Sequence, residues 1–489
     1  MKHLLYRCLG LTALFLISAE AVLKPQPASG GELRIGSATI SITPEQPIAL
    51  WGQMHTRVST GVESPVMATV LALESTDDAK NVDQAVLVAC DVVAIPDHVT
   101  KKVREAVAKQ LPDFPLDRII LSGTHTHTGP VMTEGIYEIP TDGVMSPTAY
   151  VDFFAEQVAK GIAEAWNSRQ PGKVGWGIAH AVVAYNRRSV YSDGSAVMYG
   201  PTNRADFQMI EGYEDHGVEC LYFWNQQGQM IATAINVACP SQEVEGAATV
   251  NADFWHPVRE SLKARHGQQL HVLGWTGAAG DQSPHLRFRK QAEDRMRALR
   301  GISRLDEIAR RIVTAWEEAL EGAAKEQHAS VPFIHTVRTV ELPGREVLEH
   351  EYQLAKEKIA DLSKQTGKQT LLWWHGGVVR RYEHQLAGTV EPYRMELHVL
   401  RIGEIAITTN PFELYTDYGI QMKARSPALQ TFVIQLAGPG TYLPSARAAA
   451  GGGYSAIAES NEVGPEGGQV LVEETLRDIN ALWPAAAAQ

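Results

Sequence analysis

Four cysteines in 489 residues are too few for a disulfide scaffold, so a packed core has to hold this chain together. Long apolar runs are also missing. After residue 21 no stretch reaches the roughly 18 apolar residues of a membrane helix, and no integral membrane segment is expected. Positive charge is in deficit, with 44 Lys and Arg against 56 Asp and Glu and a net charge of −12. That balance argues against nucleic acid as a partner and against binding to anionic surfaces through bulk charge. It does not exclude a local basic patch such as Arg287-Phe288-Arg289-Lys290. Internal repeats and Pro- or Ser-rich linkers are absent too. At this length the expectation is one large elaborated domain or two intimately packed ones.

Residues 1–21 read as a cleaved secretory signal. Lys2 and Arg7 precede an apolar run from Leu9 to Ile17 that is too short for a bilayer, and Ala19-Glu20-Ala21 puts small residues where a signal peptidase reads. Tyr6-Arg7 before Cys8 lacks the small residues of a lipoprotein site. The expected product is secreted or periplasmic, with a leader over 22–31, one domain over 32–483 and a frayed Ala-rich tail over 484–489. Losing Lys2, Arg7 and Glu20 with the signal takes the net charge to −13. Cys90, Cys220 and Cys239 then remain. An odd number in an oxidising compartment leaves at least one thiol unpaired with its siblings, through burial, metal ligation or chemistry.

The chain is organised around Ile119-Ile120-Leu121-Ser122-Gly123-Thr124-His125-Thr126-His127-Thr128-Gly129-Pro130. An apolar, β-branched strand ends there in a polar one, and Gly129-Pro130 stops it. In an extended segment positions i and i+2 share a face, so His125 and His127 are predicted to deliver two imidazoles to one place. A pair of histidines bonded to loop carbonyls is the bland alternative.

Further strands are predicted over 32–44, 68–73, 84–90, 173–183, 218–224, 230–237, 269–275, 332–342, 395–409 and 431–436. Helices are predicted over 98–111, 148–168, 253–265, 302–322 and 345–365, the last a solvated face or a lid. In the first third, the order strand, strand, helix, strand points to an α/β layer. Polar clusters follow several strand ends: Tyr185-Asn186-Arg187-Arg188, Cys239-Pro240-Ser241-Gln242, Gly280-Asp281-Gln282-Ser283-Pro284-His285, Asn410-Pro411-Phe412-Glu413, and Gly440-Thr441-Tyr442 with Tyr454 twelve residues on.

From about residue 35 to about 480, the order of these motifs resembles the amino-terminal catalytic domain of the neutral/alkaline, non-lysosomal ceramidases. Thr124-His125-Thr126-His127-Thr128-Gly129-Pro130 stands close to the family's Thr-His-Thr-His-Ser-Gly-Pro. Asn186-Arg187, Gly280 to Pro284, Pro411-Phe412-Glu413 and Gly440-Thr441-Tyr442 keep order and approximate spacing. The resemblance implies an α-β-β-α-like fold of layered sheets flanked by helices, and a zinc ion that activates water to cleave an amide. It carries His125, Glu413 and Tyr442 over as zinc ligands. The family's second ligand, in a His-Pro segment, is replaced by Cys239-Pro240. A Cys239 thiolate can ligate zinc, but beside Glu413 it would make the metal a poorer Lewis acid. Those ceramidases also carry an immunoglobulin-like carboxyl-terminal domain with no counterpart in these 489 residues, so ceramide itself is not implied as substrate.

The resulting expectation is a zinc hydrolase of a C–N bond in a small-molecule or lipid-like N-acyl amide. Zinc would sit on His125, Cys239, Glu413 and Tyr442. His127 would stabilise an oxyanion or shuttle a proton, Arg187 and Tyr454 would orient substrate, and Ser283 would place a hydroxyl nearby. Two rivals stay open: an ester or lactone hydrolase of the same fold, and a silent lipid- or carbohydrate-binding protein disabled at Cys239. Each residue also has a plainer use. Cys239 could be a buried apolar thiol, or a nucleophile; Glu413 could cap a helix, Tyr442 the core, and Arg187 could be a surface charge. His256 is a candidate substitute imidazole, and His285 stands where the family usually has Asn. Oligomeric state is not legible.

Overall fold

Along the strand Lys80–Cys90, Val86, Val88 and Cys90 enter one core while Ala85, Leu87 and Ala89 enter another. The neighbouring strand Met67–Asp77 divides in the same way, with Ala68, Val70 and Ala72 on one side and Leu71 and Leu73 on the other. Period-two alternation with both faces apolar means that the sheet is covered on both sides. A computed structural model describes residues 30–77 and 80–483 of the protein. The signal over 1–21, most of the leader and the 484–489 tail therefore lie outside the described residues.

The larger sheet runs His271–Thr276, Met230–Val237, Gly217–Asn225, Gln170–His180, Gly31–Ser41, Met67–Asp77, Lys80–Cys90, Ile119–Gly123, with Ser330–Val331 added beside Gly31–Ser41. Only its two outer pairs are parallel. The smaller sheet runs Phe333–Leu342, Tyr393–Ile402, Ile405–Thr409, Gln430–Ile434, and its last pair is parallel. Between the sheets lies a core of Leu33, Leu71, Leu273, Ile407 and Phe432 among others.

Helices close both outer faces. Pro147–Asn167 carries Tyr150, Phe154, Val158 and Ile162 into the core behind Met67–Asp77; Ser146 caps it, accepting from Ala149 N–H, and Pro147 opens it. Arg304–Ala323 packs Ile308, Ile312 and Trp316 behind Gln170–His180 and starts at a reciprocal Ser303–Asp306 capping box. Thr416–Arg425 and Pro465–Leu482 cover the smaller sheet. The layers are thus helix, sheet, sheet, helix, as the resemblance implied. Several boundaries moved: the strand predicted over 84–90 is Lys80–Cys90, that over 173–183 is Gln170–His180, and the helix over 345–365 is Glu349–Leu362; a second helix, Gln369–Leu386, folds back on that one. Among the described residues no helix is long and apolar enough to cross a membrane.

Parallel pairs send their carboxyl ends the same way, so the loops after Gly123, Val237, Thr276, Thr409 and Ile434 gather at one edge of the two sheets. Backbone bonds tie them there. Gly123 N–H donates to Leu436 O, Ser241 N–H to Thr124 O, Gly277 N–H to Val237 O, and Gln435 N–H to Thr276 O.

Candidate active site

The strand Ile119–Gly123 ends at a buried ion pair. Asp91 takes two bonds from Arg259, 2.6 and 2.9 Å long, and a third from Thr124 Oγ1, which fixes the first residue past the strand. The next residue, His125, has a left-handed backbone with φ of 68°. The two imidazoles do come together, edge to face with centroids 4.8 Å apart. Strand alternation is not what joins them: the strand has already ended, and a turn at a backbone angle that few side-chain-bearing residues adopt does it.

His125 Nδ1 lies 2.8 Å from Val93 O, so this nitrogen carries a proton and donates it. Its Nε2 then faces Glu413 Oε2 at 3.3 Å and His127 Nε2 at 3.2 Å. His127 sits over bare backbone at Gly52, where φ is 103° and a Cβ would fall 2.4 Å from the ring. Gln242 takes a bond from Arg187 Nη1 on its oxygen and so turns its amide nitrogen to His127 Nε2, at 2.7 Å. That network assigns the lone pair to Nε2 and the proton to Nδ1. Nδ1 in turn meets Glu245 Oε2 at 3.3 Å, a charge contact without the alignment of a hydrogen bond. Burial pushes His127 down to about 4, against the pull of Glu245. Burial alone would raise the Glu245 carboxyl, but His127 and His285 hold it below the usual range. The pair is a neutral ring beside a carboxylate.

Arg187 is the hub of the other half. It donates to Tyr199 OH and Gln242 Oε1 from Nη1, to Gly280 O and Tyr442 OH from Nη2, and lies 3.7 Å from Glu413. Its neighbour Arg188 turns away to a buried pair with Glu211, and holds the carbonyls of Ala448, Gly452 and Tyr454. Glu413 and Tyr442 lie on paired two-residue strands, with Gly280 packed so closely that a Cβ would fall 2.2 Å from Glu413 O. Burial favours the neutral Glu413 carboxyl, but His125 and Arg187 outweigh it and keep it ionised below its ordinary range. Burial and Glu413 hold the Tyr442 phenol protonated far above its own. Ser283 Oγ accepts from Tyr199 OH at 3.1 Å. Tyr454, 39% exposed, packs on Tyr442 and on Trp374 of the Gln369–Leu386 helix, which marks the way out to solvent.

No protein-family model matches the chain, and no curated protein matches its sequence. Solved structures do. Neutral ceramidase from Pseudomonas aeruginosa superposes with a TM-score of 0.69 at 15% identity, over 94% of this chain and 75% of that one. A ceramidase complexed with C2 gives 0.67 at 16% identity, over 94% and 77%. The chain has the neutral ceramidase fold. On that fold the structure brings His125, His127, Arg187, Ser283, Glu413, Tyr442 and Tyr454 to one edge of the sheets.

Cys239 is not brought there. Its Sγ lies 3.6 Å from Val183 O and 3.7 Å from Pro240 O, in the apolar core with Phe254 and Trp255. Burial, with Asp253 nearby, pushes the thiol well above its ordinary range, as expected of a protonated thiol in an apolar core. Cys90 and Cys220 are buried and free as well. His256 is half-buried at the start of the Trp255–His266 helix, where its backbone N–H bonds Asp253 O, and among the described residues its ring makes no bond to the cluster. His285 is closer. It flanks the second oxygen of Glu245 at 3.7 Å and approaches Glu243 O with Nε2. Gln242 and Glu245 are site residues that sequence reasoning missed; the available signal was their place three and six residues beyond Cys239.

Zinc can be tested against these donors. Among the described residues, no group of three or more His, Cys, Asp or Glu side chains is arranged to hold a metal ion, so a metal here depends on Tyr442 as third donor. His125 Nε2, with its proton committed to Nδ1, turns a lone pair toward a carboxylate and another ring's lone pair, and such a convergence of acceptors fits a cation between them. His125, Glu413 and Tyr442 fit a three-donor site of the kind that leaves a coordination position open.

Proposed function

We propose that this chain hydrolyses the amide bond of a ceramide-like N-acyl lipid. The observation that carries the reading is the cluster itself, in which a base, a cation and a carboxylate from separate loops meet at one edge of a neutral ceramidase fold. His127 presents an unprotonated Nε2 to the centre of the cluster, where it can take a proton from attacking water and return it to the leaving nitrogen. Arg187, held by five partners, keeps a fixed positive charge beside the position of the developing oxyanion. Ser283 and Tyr199 complete the polar wall, and Tyr454 with Trp374 offers an apolar one to the hydrocarbon part of a substrate. Zinc held by His125, Glu413 and Tyr442 would supply Lewis acidity at that point. Cys239 has no part in the set. Export through residues 1–21 belongs to the same proposal.

The test is metal analysis of the purified protein together with fatty-acid release from a panel of N-acyl amides and matched esters. We expect about one equivalent of zinc, kept in Cys239→Ala and lost in His125→Ala, with amides cleaved. Esters cleaved and amides untouched, in the zinc-loaded protein, would overturn the amide reading.

A further inference from the structure

The helix Lys290–Arg300 lies on the surface with its apolar side chains in the open. It buries no residue. The side turned to the protein is held by charge: Glu293 pairs with Arg311 at 2.6 Å, and Arg300 with Glu307 at 3.2 Å. One stripe of the surface turned to water is apolar, edged by exposed Arg295 and Arg300. Ala292, Met296 and Leu299 recur at intervals of four and three, on one stripe of a helix, and all three are exposed. Met296 is 43% exposed and Leu299 67%, and Phe288, just ahead of the helix, is 58% exposed.

Cations flank this stripe. Residues 287–300 hold six Lys and Arg against two acidic residues, in a chain whose net charge is −12. Among the described residues Arg289, Lys290 and Arg295 take part in no ion pair, and the Arg289 guanidinium lies on the Phe288 ring. Beneath the start of the helix a groove of about 400 Å³ is walled by Arg289, Arg310, Arg311 and Val182.

We infer that this helix docks the protein on an anionic lipid surface, with Phe288, Met296 and Leu299 entering the acyl boundary and the surrounding arginines and lysine on the headgroups. An outward apolar stripe edged by free cations is what an interfacial helix needs. Nucleic acid would use the cations and leave the stripe in water. The placement suits the cluster as well: Ser283 lies seven residues before Lys290, and Arg287 bonds Ser189 Oγ and Gly200 O beside Tyr199. The inference stands apart from the substrate reading, since it concerns binding and not turnover.

Co-sedimentation of the full chain with vesicles decides it. Wild type should bind vesicles of phosphatidylcholine mixed with phosphatidylglycerol far better than phosphatidylcholine alone. Arg289→Glu, Lys290→Glu and Arg295→Glu together should weaken that binding by roughly a hundredfold or more, and Met296→Glu with Leu299→Glu should weaken it too. No helix residue is buried, so circular dichroism should show every variant folded, with turnover of a short water-soluble N-acyl amide unchanged. No binding by wild type, or equal binding by the variants, overturns the inference. So does a wild-type dimer in light scattering that Met296→Glu with Leu299→Glu dissolves, because the stripe would then cover a second copy of the chain.

Discussion

Gln242 and Glu245 together set which nitrogen of His127 is basic. With the carboxylate against Nδ1 and the Gln242 amide against Nε2, the ring is held in the one tautomer that faces the cluster with a lone pair. Glu245→Gln should lower kcat by about 10- to 100-fold while leaving KM nearly unchanged, and Glu245→Asp should recover part of the loss. Nitrogen NMR of the His127 ring should show the tautomer mixture shifting in step; a kcat loss with the tautomer intact would contradict the assignment. At this scale the sequence was legible where a residue's neighbours in the chain are its neighbours in space. His125 and His127 could be read because the strand end that carries them is marked by Gly129-Pro130, whereas Glu413 came through the resemblance. Cys239 could not, because its adjacency to Pro240 says nothing about which side of the turn the thiol takes. The turn sends it to Val183 and the apolar core, and brings Gln242 and Glu245 to the cluster in its stead.

At the scale of elements, alternation in Met67–Asp77 and Lys80–Cys90 was readable, because a strand covered on both faces still divides its side chains between two cores. The paired helices Glu349–Leu362 and Gln369–Leu386 were half visible. The first has the charged pattern of a solvated face, but the second hides Trp373-Trp374 beside Gly376-Gly377 and buries little. What defines it is its contacts: Thr370 donates to Ile136 O, His375 meets Glu459 at 3.1 Å, Arg381 holds Ala458 O and Asn461 O, and Trp374 lies on Tyr454. The second helix thus clamps two loops at the way out of the cluster. Trp374→Ala should raise KM for a long N-acyl substrate by about tenfold, with kcat and short substrates little affected. Steady-state kinetics on two chain lengths checks this, and an equal change for both would sink it.

At the scale of the whole molecule, the smaller sheet and the edge of the larger one also meet at a buried pair of histidines. His335 donates from Nδ1 to Gln84 O and accepts at Nε2 from His398, whose other nitrogen lies 3.5 Å from Glu396, itself held by Arg104; Arg118 donates to His335 O. Burial, and then His398, push His335 down to about 3 from 6.5. Between those two pH values the unfolded chain binds a proton that the folded one refuses, so stability should fall as pH falls through the window. Urea unfolding across that range should show the slope, and His335→Asn, which keeps the donor to Gln84 O without titrating, should flatten it. The same two sheets meet again at the cluster, where His125 follows the last strand of the larger and Glu413 follows the strand Ile405–Thr409 of the smaller. Their 3.3 Å contact is a gauge of how the sheets are seated on each other. A cation placed there would act as a rivet through that seam, and drawing it out should make the two sheets easier to pull apart by force long before either one frays.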